Sequence, residues 1–156
     1  MNDGPCAYEG KCLGPKADQG QAIVGYSNPM ENPNDQTTYL VVDGENIDAT
    51  LGLSVLDRRP NPEERPRWDR VLESAHGRWG QKAKGLFFLN GSSGFLPMGF
   101  VQALTAMDYS VIPLSGPAEM KVVDVGLQRT MDAIAQLGSG DVILASHDAD
   151  FLPQIE

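Results

Sequence analysis

The sequence predicts an α/β fold built on a central parallel sheet. Runs such as Leu40-Val41-Val42 and Val142-Ile143-Leu144-Ala145 are too short for a buried helix and too continuous for a half-exposed strand, so they read as strands covered on both faces. Strand-like and helix-like segments alternate along the chain, the order expected of right-handed crossovers in a parallel sheet. Both apolar runs also lead straight into carboxylates, Asp43 after the first and Asp148 with Asp150 after the second.

Residues 1 to 36 are rich in Gly, Pro, Asn, Asp and Gln and show neither helical nor strand period, so they read as a flexible leader with one weak strand at Ala22-Ile23-Val24. The globular part, residues 37 to 156, opens with a strand at Tyr39–Asp43, followed by a helix near Ile47–Leu56. The segment Arg59–Pro66 holds three prolines and cannot be helical throughout. A second helix over Arg67–Gly77 precedes the strand Gly85–Leu89, and a third over Gly99–Met107 precedes the strand Ser110–Leu114. Met120–Leu137 reads as a long helix, because Val123, Leu127, Met131, Ile134 and Leu137 are spaced for one buried face and Gly138 supplies a stop. The last strand ends at Ala145, and the chain closes at Glu156 where a further helix is expected, as in a fragment or an unusually short domain.

At 156 residues there is chain for one core and not for two. No apolar run approaches the roughly 18 residues of a membrane span, and the first residues lack the basic start and apolar centre of a signal peptide. These features predict a cytoplasmic protein with no membrane partner; self-association is allowed. Cys6 and Cys12 are too few for a four-ligand zinc site and read as free thiols. The net charge of −9 argues against indiscriminate nucleic-acid binding. Eight of the 12 basic residues, however, fall between Arg58 and Lys84, which reads either as a solvated mixed-charge face or as a phosphate-tracking patch.

Ligand crevices in open parallel sheets lie at the carboxyl ends of the strands. Were the first and last strands neighbours, ~4.8 Å apart, Asp43 and Asp148 would face each other across that gap, and a divalent cation would relieve their repulsion. Asn46 follows Asp43 by one turn, placed to cap the first helix or to orient a water or phosphate. Gly44 lets the chain turn closely after Asp43, and Glu45 should point to solvent. Asp124 opens the long helix, with Lys121 on the same face and Gln128 and Asp132 continuing that face. His147, in a strand-end turn, should point to solvent.

Val42-Asp43-Gly44-Glu45-Asn46-Ile47, Lys121-Val-Val-Asp124-Val125 and Ser146-His-Asp148-Ala-Asp150-Phe151 together resemble, in order and spacing, the NYN domains of the PIN-like nuclease superfamily. The resemblance covers roughly residues 38 to 156. It implies a three-layer α/β/α sandwich with the first strand central and beside the fourth, and a divalent-metal ribonuclease site of four acids, here Asp43, Asp124, Asp148 and Asp150. Thr130 stands where many such domains carry another Asp, His147 where a small residue is common, and the closing helix and strand of the fold are missing.

The resemblance and the residues together predict a Mg²⁺- or Mn²⁺-dependent endoribonuclease acting on single-stranded RNA. Asp43, Asp148 and Asp150 are the expected ligands, with Asp124 completing the site. A hard-oxygen set without a thiolate or a histidine pair suits those ions better than zinc. Asn46, Lys121 and Ser146 are expected to meet the substrate, with Lys121 holding a phosphate or tuning Asp124. Two alternatives belong to other classes. One is a non-catalytic module that binds RNA or protein with a retained acidic crevice. The other is a phosphatase of the haloacid dehalogenase type that uses Asp43, Ser92, Lys121 and the Asp148/Asp150 pair, although Glu45 then stands where that chemistry wants an aspartate.

Overall fold

The computed structural model describes residues 36–58, 60–138 and 140–156. The expected leader, its strand at Ala22–Val24, both cysteines and Arg59 lie outside the described residues.

Four strands, β1 (Thr37–Asp43), β2 (Ala83–Asn90), β3 (Tyr109–Leu114) and β4 (Gly140–Ala145), form one sheet in the order β3-β2-β1-β4. Every pairing is parallel. Helices α1 (Gly44–Leu51), α2 (Trp68–Arg78) and α3 (Met98–Ala106) fall within the β1-to-β3 half of the chain. Helix α4 (Val122–Leu137) carries the chain from β3 to β4, and the short α5 (Leu152–Ile155) follows β4.

The alternation of strand side chains decides the layers. Leu40 and Val42 of β1 and Phe87 and Leu89 of β2 face a core completed by Trp68, Leu72 and Ala75 of α2 and Leu104 of α3. Val41 and Phe88 face the opposite core, built with Val123, Leu127, Met131 and Ile134 of α4 and with Phe151. Because helices cover both faces of the sheet, the Leu and Val residues of β1 are buried on both, as the unbroken apolar sequence demands. The protein is thus a three-layer α/β/α sandwich.

Stepping from β1 to β2 to β3 keeps α2 and α3 on one face. The return to the far side of β1 puts α4 on the other, as a constant crossover hand requires. The chain therefore reverses direction across the sheet between β1 and β4, which makes the carboxyl ends of those two strands the switch point where open sheets bind ligands.

The two ends of α1 and the burial of Leu137 differ from expectation. Helix α1 begins at Gly44 rather than near Ile47, because the Asp43 carboxylate accepts the Asn46 amide at 3.1 Å and caps the first turn directly after the strand. The same helix then loosens into a π-helical turn at Gly52–Leu56. Leu137, expected on the buried stripe, is exposed: α4 spans 16 residues, ~24 Å at 1.5 Å per residue, and outruns β4, whose six residues reach only ~20 Å. Gly138 ends α4 as expected, in the left-handed conformation with φ 65° and its amide bonded to the carbonyls of Ile134 and Ala135.

Candidate acidic metal site

At the switch point the register places Val42 opposite Ala145, so the residue across from Asp43 is Ser146 and not Asp148. Ser146 donates its hydroxyl to Asp43 Oδ2 at 2.9 Å and accepts the Asp148 amide on the same oxygen at 3.2 Å. It was expected to meet substrate; its proton is instead spent on locking the end of β4 to the end of β1. The expected direct opposition of Asp43 and Asp148 is replaced by this serine bridge.

Asn46 makes the second lock. Its side-chain oxygen accepts the His147 amide at 2.8 Å and the Thr50 hydroxyl at 3.2 Å. Its role is to fasten α1 to the turn after β4, while the cap is Asp43. The His147 residue itself is exposed, as expected. Gly44 is required by close approach: a Cβ there would sit 2.5 Å from the Phe88 carbonyl oxygen. Larger residues would push α1 off β2 and break the geometry that presents Asp43.

Asp43 is 2% exposed with one hydrogen bond to each carboxylate oxygen. Burial pushes its carboxyl above the usual range, the bonds from Asn46 and Ser146 oppose that, and the Asp124 charge adds to the rise.

The other three acids behave differently. Asp124, Asp148 and Asp150 each place a carboxylate oxygen so that all three lie within 4.8 Å of one another. Asp124 stands in the first turn of α4. Asp148 caps the 3-10 turn Ala149–Phe151 by accepting the Asp150 amide at 3.0 Å. Gln128, one turn along α4 from Asp124, donates to the Asp150 carbonyl at 3.3 Å and holds that turn against the helix.

The Lys121 ammonium sits among these carboxylates, 2.9 Å from Asp150, 3.3 Å from Asp124 and 3.8 Å from Asp148. Its pKa is raised, first by the hydrogen bond to Asp150 and then by Asp124. The lysine is two-thirds exposed, so these contacts are solvent-screened and exchangeable. Its ammonium is the positive charge that these three carboxylates share.

Asp43, Glu45, Asn46, Lys121, Asp124 and Asp148 line one open crevice of about 230 Å³. Glu45 is exposed, as expected, at the rim of this crevice, and accepts a bond from Asn90 at 3.0 Å. Asp132 is exposed on α4, and Thr130 turns its hydroxyl back to the Gly126 carbonyl at 2.8 Å, so neither joins the cluster. Ser92 accepts the Gly116 amide and does not line the crevice. Among the described residues, none of the cations between Arg58 and Lys84 lines it either. Sequence reasoning missed the Ser146 bridge and the Gln128 tie; the spacing of Ser146, two residues before Asp148 on a strand end, is the signal that points to the first.

No protein-family model and no curated protein matches the chain. Among solved structures, a crystal structure of a protein of unknown function from Vibrio parahaemolyticus is similar to it, with a TM-score of 0.59 and 17% identity over 81% of this chain and 75% of that one. At that identity the likeness speaks for the fold. Among the described residues, no helix is long and apolar enough to cross a membrane.

Proposed function

We propose that the protein is a cytoplasmic, Mg²⁺- or Mn²⁺-dependent endoribonuclease of the NYN type that hydrolyses phosphodiester bonds of single-stranded RNA. The observation that carries this reading is the convergence of Asp124, Asp148 and Asp150 on one point at the topological switch of the sheet. Their donor set, all carboxylate oxygen, matches hard divalent ions. An ammonium held at 2.9 Å in their midst is consistent with a seat for positive charge.

In this reading Asp124, Asp148 and Asp150 hold the ion. Bound there, it would neutralise phosphate charge and lower the pKa of an attacking water. Asp43 stays in the lining, where it fixes α1 and, through Ser146, the position of Asp148. Asn46 orders the turn that presents Asp148 and Asp150, and Lys121, once displaced from the carboxylates, is placed to meet a substrate phosphate. Cleavage of a labelled single-stranded RNA in Mn²⁺, absent in EDTA, is the expected result; intact RNA under both conditions would reject the proposal.

One observation favours a second reading. Lys121 already balances part of the cluster's charge, as it would in a module that binds RNA or protein without cutting. RNA binding unaffected by EDTA and without cleavage would select it. The phosphatase alternative draws no support from Ser92, which does not line the crevice.

A further inference from the structure

Strand β2 runs into a loop, residues 91 to 97, that holds one aromatic side chain in solvent. Gly91 donates its amide to the Leu114 carbonyl at 2.7 Å and Gly94 donates to the Gly91 carbonyl at 2.9 Å, which closes a tight turn on the end of β3. The Ser93 hydroxyl then brackets the next residue, accepting the Phe95 amide and donating to the Phe95 carbonyl, each at 3.3 Å. Leu96 packs against the core that α3 covers. Phe95, beside it, is 74% exposed, the most open aromatic ring among the described residues.

Isolated apolar side chains on a surface are ordinary; the place of this one is not. The loop is fastened to the acidic crevice at two points. Asn90, whose side-chain oxygen accepts the Ser92 amide at 2.8 Å, donates to the crevice residue Glu45 at 3.0 Å. The Ser92 hydroxyl accepts the Gly116 amide at 3.2 Å. A Cβ on Gly116 would meet Val122 at 2.5 Å and Met120 at 3.8 Å, the residues that flank Lys121. Strand β2 lies beside β1, ~4.8 Å away, and outruns it: Asp43 pairs with Phe88, two residues before Asn90. The loop therefore starts above the level of Asp43, next to the crevice.

We infer that Phe95 is a stacking platform for an unpaired base of the RNA whose phosphate lies at the crevice. The inference rests on the ribonuclease reading and adds to it a substrate-positioning residue. Charge favours such a contact. The chain carries a net charge of −9, and among the described residues Lys121 is the one cation lining the crevice, where carboxylates engage it. The protein has few phosphate contacts to offer there, and stacking, which every base can do, supplies affinity instead. A phenyl ring presents a π-face and no hydrogen bond, so it selects unpaired over paired bases and leaves the sequence unread.

The test compares wild type with Phe95→Ala, Phe95→Leu and Phe95→Trp, each checked by circular dichroism. Binding of a ten-nucleotide single-stranded RNA is measured in EDTA and its cleavage in Mn²⁺. Phe95→Ala and Phe95→Leu should each weaken binding about tenfold and raise KM while sparing kcat, whereas Phe95→Trp should bind at least as well as wild type. A duplex of the same sequence, and an oligomer of the same length without bases, should respond to none of the substitutions. Wild-type binding by Phe95→Leu would mean a merely apolar contact and would overturn the proposal, as would an equal loss on duplex and single strand. Cleavage with the same KM in all four proteins would overturn it and leave the nuclease reading intact. Binding that depends on Phe95, without cleavage in Mn²⁺, would uphold the platform and reject the nuclease. Neither binding nor cleavage by wild type would reject both. Self-association that Phe95→Ala abolishes, with RNA binding unchanged, would assign the ring to a second copy of the chain and overturn the proposal.

Discussion

Asp43 has both carboxylate oxygens bonded to the protein and almost no contact with water, whereas Asp124, Asp148 and Asp150, lining or bordering the same crevice, lean on a single exposed ammonium. The difference separates two uses of one residue type. A buried carboxylate with fixed donors is a joint: it caps α1 and, through Ser146, ties β1 to the turn after β4. Open carboxylates whose partner is a long flexible lysine can exchange that partner for another cation at little cost, since exposed ion pairs are worth at most about 1 kcal/mol.

The largest effect should come from the open set. Asp124→Asn and Asp148→Asn should each lower Mn²⁺-dependent RNA cleavage by at least about a hundredfold and weaken Mn²⁺ binding by calorimetry. Asp43→Asn should leave most of the Mn²⁺ affinity intact. If all three variants lose metal equally, the division between joint and ligands is wrong and Asp43 belongs among the ligands.

Stability should show the reverse ranking. Asp43→Ala removes the cap and strands the Ser146 hydroxyl, for a loss of about 1–3 kcal/mol in urea unfolding. Asp43→Asn keeps the cap acceptor and removes a buried charge. Because burial raises the Asp43 pKa, the folded chain retains a proton that the unfolded chain has released between the ordinary carboxylate range and the raised value. Stability from this group therefore falls as pH rises through that window. Asp43→Asn should flatten that fall and make the metal-free protein more stable at pH 7 than wild type. A pH profile unchanged by Asp43→Asn would show that Asp43 is not the group responsible.

Lys121→Met tests the other half of the comparison. With the ammonium gone, nothing competes for the three carboxylates, and Mn²⁺ affinity should rise by up to about tenfold. Metal-free stability should change little, because the lysine is exposed. Unaltered affinity would mean that the ammonium and the ion do not share a seat.

Much of this arrangement was legible in the sequence. The strands and the long helix with its Gly138 stop follow from periodicity and residue type, since each is a local property, whereas the set of four acids is what the resemblance to the NYN domains implies. What escaped was set by register and reach. A strand slip of one residue decides whether Asp43 meets Ser146 or Asp148, and no periodicity reports it. Asn46 reads in the sequence either as a cap or as a group that orients a water or phosphate; Asp43 takes the capping role because its strand runs into the helix without a loop. Lys121 was placed on the right face of α4, but its reach to Asp150, 29 residues away, depends on the turn that Gln128 and Asp148 hold in place.

The smallest effect is expected at Glu45, and its smallness is informative. Glu45 borders the crevice but bonds outward to Asn90 and takes no part in the three-carboxylate cluster. In metal-dependent hydrolysis it has no proton to move, and Glu45→Gln, which preserves the acceptor for Asn90, should change RNA cleavage by less than about threefold. A phosphoaspartate mechanism at Asp43 would need an acid at this position to protonate the leaving group and later activate water, a role whose loss costs about 10²–10⁴-fold. It would also need Asp43 free to attack, whereas both of its oxygens are bonded to the protein. RNA cleavage and phosphomonoester hydrolysis, measured side by side on wild type and Glu45→Gln in Mg²⁺ and Mn²⁺, separate the two. Phosphomonoesterase activity in wild type that disappears in Glu45→Gln, with RNA left whole by both, would make Asp43 a nucleophile and undo the distinction between the buried joint and the open ligands.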